Sequence, residues 1–189
     1  MLTKPFIGSA GHSGGWMRRL ARDQRGVSAV EFALIAPIMI ALYFGSVEVS
    51  DAVSVDRKVS LTAAALANLS SQVTTISASE MTNILDASSA IISPYDSSKL
   101  KMTVTCIAID ANRNARVKWS VTRNGSSNSG SATLPSALLV ANTQILLAEA
   151  SYAYQPTVGY TITGTLNLAD KMYMTPRQTA PSYGNATCT

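Results

Sequence analysis

Val27 to Val47 is a run of 21 residues with one charge, Glu31, and its last 16 residues, from Phe32 on, have none. About 20 mostly apolar residues are needed for a helix to cross roughly 30 Å of hydrocarbon, so the run is just long enough to span a bilayer. The chain's net charge of +4 lies entirely ahead of it. Residues 1 to 26 hold Lys4, Arg18, Arg19, Arg22 and Arg25 against Asp23, which is five minus one, and the ten basic and ten acidic residues that follow cancel. Basic flanks stay on the cytoplasmic side. The pattern therefore predicts a basic cytoplasmic leader over 1–26, a transmembrane helix over 27–47 and a body exported across the membrane.

Residues 27–189 are electrically neutral as a whole, which argues against binding nucleic acid through a folded domain even though the sequence pI is about 9.2. The single histidine, His12, falls in the leader. Triads with a histidine base, histidine-rich zinc sites and His/Cys nucleophile pairs are thus excluded from the body. No phosphate-binding loop, dinucleotide fingerprint or CxxC motif occurs. The sequence points away from an enzyme, and no cofactor, metal or small-molecule substrate is expected.

Beyond the apolar run, Ala52, Val55, Val59, Ala63, Leu66, Leu69 and Val73 recur in steps of three and four, one face of an amphipathic continuation over about 48–75. Pro37 removes one hydrogen bond inside the membrane segment, and a kink is expected there without an end to the helix. One helix of roughly 70 Å, from about 27 to 73, follows at about 1.5 Å per residue. Ser77 with Glu80 three residues later is a capping-box pattern that opens a short second helix, ending before Pro94. Leu100, Met102, Val104, Cys106 and Ala108 alternate with polar residues, as do Val117, Trp119 and Val121. These read as two antiparallel strands joined through Asp110, Asn112 and Asn114. Asn124 to Ser131 reads as a surface loop, Thr143 to Tyr154 as a third strand and Lys171 to Thr175 as a fourth. The fold class expected is α+β: a long N-terminal membrane helix running into a small domain, 76–189, with an antiparallel sheet of about four strands. Tyr152, Tyr154, Tyr160 and Tyr173 are expected to face sheet neighbours more than to form an adhesive aromatic surface.

The residues at the membrane boundary carry the most information. In Arg25-Gly26-Val27-Ser28-Ala29-Val30-Glu31-Phe32 a glycine ends the basic leader, the apolar run begins at once, and an acid stands at its fifth position. This resembles the processing site of type IV prepilins, which a prepilin peptidase cuts after the glycine. The longer stretch from Arg22 to Pro37 resembles the TadE/TadG family of tight adherence (Tad, or Flp) pilus machinery. Glu149 to Pro156 and Thr175-Pro176-Arg177 are weaker echoes of that family's C-terminal strands. The resemblance implies a type IV pilin-like minor pilin or pseudopilin of the bacterial inner membrane, single-pass, with its C-terminal domain periplasmic and with possible passage into the pilus. It implies cutting between Gly26 and Val27, and as partners the prepilin peptidase, other pilins or pseudopilins and the Tad assembly platform. Roles in pilus assembly and surface adhesion follow.

Independent physics supports part of this. Glycine lets a backbone approach catalytic groups closely. An acid in a lipid helix costs about 2.5 to 3.5 kcal/mol at the centre on translocon scales and usually marks a function. Cutting frees the α-amino group of Val27 about 6 Å along the helix from Glu31, a partner for its own or a neighbour's carboxylate. Phe32 belongs to the same assembly stretch. The bland alternative is an uncut bitopic periplasmic scaffold or binding protein, with Glu31 at headgroup level and Gly26 an incidental linker. A twin-arginine signal at Arg18-Arg19 fits poorly, because Asp23 and Glu31 interrupt it. A cleaved secretory signal also fits poorly, since the nearest small-x-small site, Ala65-Leu66-Ala67, lies far beyond Val47. Cys106 and Cys188 in an oxidising compartment most simply pair and tie the tail to the sheet; the alternative is one buried and one exposed thiol.

Overall fold

The computed structural model describes residues 25–156, 164–179 and 181–188. Helix α1 (Arg25–Ser71) passes through Pro37 without ending. The expected 27-to-73 helix is thus present, begun two residues earlier and ended two earlier. It stops at Ser71 because the chain must turn to form β1 (Thr75–Ile76), which pairs in parallel with the equally short β6 (Ser182–Tyr183). Val73, outside the helix, still packs on the core.

Helix α2 (Ala78–Ser89) opens on the expected capping box. The Ser77 hydroxyl accepts from the Glu80 backbone N–H, and the Ser77 N–H donates to Glu80 Oε2 at 2.8 Å. That backbone donor, followed by the Ser77 hydroxyl, holds the Glu80 carboxyl below its ordinary value. Met81, Ile84 and Leu85 form the buried side of α2.

Four antiparallel strands make the main sheet: β2 (Leu100–Ile109), β3 (Ala115–Arg123), β4 (Thr143–Tyr154) and β5 (Leu166–Met174), in the order β3-β2-β4-β5. The first three lie where alternation placed them. The fourth runs over 166–174, not 171–175. Asn167 and Asp170 hide it from a propensity reading, and pairing against β4 along the sheet edge overrides that preference. Asp110 closes the β2–β3 turn by accepting from the backbone N–H groups of Asn112 and Asn114, both at 2.8 Å.

The sheet is covered on one face and partly roofed on the other. On one, Val55, Val59, Ala63 and Leu66 of α1 are fully buried against Leu100, Met102, Val104, Cys106 and Leu146, with α2 completing the layer. The expected stripe of the helix is therefore the face that packs, with Leu69 half-buried at its end. The opposite face holds a second, smaller core of Ile107, Ile109, Ala115, Ile145 and Leu147, roofed by Leu134, Leu138 and Leu139. Opposite Cys106 and Ile107 the register of β3 skips Lys118, and this bulge puts Trp119 in the first core and Val117 against the second.

Candidate functional site

The boundary residues lie at the start of α1. Gly26 falls in its first turn, where an added Cβ would meet nothing within 4 Å. Gly26 has helical geometry, so a protease acting there would first have to unwind this turn. Glycine lowers that cost by about 1 kcal/mol relative to alanine. Val27 and Phe32 are 58% and 71% exposed, and Glu31 is exposed as well. Val27 and Glu31 are one turn apart on the same side of the helix. Among the described residues Glu31 has no hydrogen bond or ion pair.

Residues 25–44 form a helical stretch whose apolar side chains point outward all round: Val30, Leu34, Ile35, Ile38, Met39, Ile40 and Leu42 are all more than half exposed. A helix apolar on every side is stable only where its surroundings are apolar too. The helix is long and apolar enough to cross a membrane, with a mean hydropathy of 2.1 in its most apolar stretch. Residues 26–67 match the family described as TadE-like protein. Over that segment the chain is similar to TadE-like proteins. The TadE-like match ends inside α1, so it rests on the helix and not on the sheet. The match supports an association with Tad pili. No curated protein and no solved structure matches the chain.

The second expected site lies in the folded body. Cys106 of β2 and Cys188 are bonded, both fully buried, with Cα atoms 6.0 Å apart. Disulfide formation is not the tail's only tie. Trp119 Nε1 donates to the Pro181 carbonyl at 3.0 Å, the rings of Trp119 and Tyr183 lie 5.8 Å apart, and Arg177 donates from its backbone N–H to the Ser71 carbonyl and from Nη2 to Asn68 Oδ1. The bond closes a loop of 82 residues, which stabilises by roughly 4 kcal/mol in the chain-entropy view. Reduction is therefore expected to leave α1 helical and to release the tail only partly. Circular dichroism should change by less than a tenth while amide exchange rises at Ser182 and Tyr183. Loss of the helical signal on reduction would show that the disulfide holds the whole body.

Of the tyrosines, Tyr152 and Tyr154 are buried, Tyr173 packs against the second core, and Tyr160 lies outside the described residues. Sequence reasoning missed a polar cluster on the sheet face opposite α1. Asn128 Nδ2 donates to Glu149 Oε2 at 2.7 Å and to Thr105 Oγ1 at 3.0 Å, while the Asn128 backbone N–H donates to Ser120 Oγ at 3.0 Å. Asn128 belongs to a Gly/Ser/Asn run that looks like a plain surface loop. The only available signal was polar residues recurring on one face of β2, β3 and β4.

Proposed function

We propose that this chain is a minor pilin or pseudopilin of a Tad pilus, cut after Gly26 by a prepilin peptidase and held by α1 in the bacterial inner membrane, with its body periplasmic. The observation that carries the reading is the coincidence at one point of three features. They are the end of the basic leader, the start of an outward-facing apolar helix, and, one turn inside it, a carboxylate with no partner among the described residues. Before cutting, the leader keeps the N-terminus cytoplasmic. After it, the new amine of Val27 and the carboxylate of Glu31 offer complementary charges to the next subunit as helices pack. The assembly platform and other pilins are then the partners, and pilus assembly with surface adhesion is the role.

An uncut bitopic scaffold is favoured by one observation, the helical state of Gly26, since proteases act on extended backbone. Mass spectrometry of the native N-terminus separates the two. A chain beginning at Val27 in cells with a prepilin peptidase is the expected result; an intact leader in those cells would overturn it.

A further inference from the structure

The sheet face opposite α1 is only half roofed. Beside Gly125 and Ser126 a groove of about 460 Å³ opens over β2, β4 and β5, and a second hollow of about 210 Å³, lined in part by Asn128, Ser131 and Thr133, adjoins it. Glu149 and Lys171 line both, and Lys101 lines the larger. Together the hollows fall in the size range of small-ligand sites.

Strand register fixes the layout. Thr103, Glu149 and Lys171 form one cross-strand row, and Lys101 faces Ser151 in the next. Lys101 and Lys171 therefore flank β4 from strands about 10 Å apart. Gly125 forms part of the rim: a Cβ there would stand 2.9 Å from Thr122 Oγ1, so only glycine lets the loop come down so near the floor.

The hydrogen-bond inventory defines what could bind. Glu149 Oε2 is taken by Asn128, and Asp170 Oδ1 by the Lys171 backbone N–H. The floor hydroxyls of Thr103 and Thr122 are bonded to each other. Neither Lys101 nor Lys171 has a side-chain partner among the described residues, although Glu149 is the direct cross-strand neighbour of Lys171. Unused capacity is thus two ammonium groups as donors, with one oxygen each of Glu149 and Asp170 left as acceptors. A matching ligand carries anionic acceptors together with hydroxyl donors. Tyr173, lining the smaller hollow, adds an aromatic surface for a ring to lie on. Extended peptides fit less well, because the groove runs over a sheet face and offers no backbone ladder.

We infer that this groove binds an acidic saccharide, its carboxylates held by Lys101 and Lys171 and a ring hydroxyl donated to the Asn128-fixed Glu149. The inference deepens the adhesion part of the proposed function, but it is tested without pili or peptidase. Calorimetric titration of the full chain in detergent micelles, disulfide intact, would use trigalacturonate, the neutral trisaccharide maltotriose and tri-glutamate as probes. Trigalacturonate should bind at least tenfold more tightly than either of the others. Affinity should fall at least tenfold in K101M/K171M and severalfold in Glu149→Gln, each with the wild-type circular dichroism spectrum. No binding of trigalacturonate, equal binding of tri-glutamate or maltotriose, or an unchanged affinity in K101M/K171M would each overturn the assignment. Should the lysine variant fail to fold, Gly125→Val, which crowds the groove from its rim, provides the same reading: lost binding is expected, and full binding refutes the site.

Discussion

Gly26→Val should leave the leader uncut, with the mature fraction down at least tenfold on an immunoblot of cells that express a prepilin peptidase. Gly26→Ala should slow cutting less. The order of the two matters because two physical effects compete at this position. If unwinding the first turn of α1 limited the reaction, alanine would be the worse substitute. It favours the helix by about 1 kcal/mol over glycine, a factor of about five, whereas β-branched valine favours it much less. If close approach of the backbone to the catalytic groups limits it, the bulkier valine is worse. The open space around Gly26 in the folded chain means that neither substitution meets a clash within the protein itself, so any loss belongs to the encounter with the peptidase. We expect valine to be the more damaging. Normal cutting of Gly26→Val would remove the processing site from this glycine.

Glu31→Gln separates processing from assembly. Glutamine keeps the size and hydrogen bonding of the side chain but removes its charge, so membrane insertion should become easier and the bond after Gly26 should still be cut. What disappears is the partner for the new amine of Val27. In lipid-like surroundings an unpaired amine is disfavoured by several kcal/mol after relaxation, and each 1.4 kcal/mol is a factor of ten in docking one subunit beside the next. A processed, membrane-resident Glu31→Gln chain that supports few or no pili by electron microscopy is the expected result. Normal piliation would make Glu31 a passive interfacial residue. Its exposure, together with the lack of any bond to it among the described residues, means the substitution should cost the folded body nothing.

These two experiments address the part of the chain where local sequence suffices. A membrane helix needs no tertiary partner to be recognised, because the bilayer imposes its length and polarity directly. The same holds for α2, whose cap is a short-range exchange between Ser77 and Glu80. It also holds for β2, β3 and β4, where alternation reports a half-buried surface. It fails for β5, whose residues earn their strand state only by lying beside β4, and for β1 and β6, two residues each and more than 100 positions apart.

The sequence by itself determined the basic leader, the apolar run with its acid at the fifth position, the helix that continues it and the likeness to TadE-like proteins. These follow from composition and period over contiguous residues. The tertiary structure alone decided that Gly26 lies in a helical turn, that the sheet has a second core under Leu134 and Leu138, and that the tail is held by Trp119 and Arg177 as well as by Cys188. It also decided that Asn128 fixes Glu149 beside two lysines whose side chains have no partner among the described residues. The physical reason is distance along the chain. Asn128 and Glu149 lie 21 residues apart, and Arg177 and Asn68 109 apart. No local pattern encodes such pairings, because they exist only once the strands have set which side chains share a face.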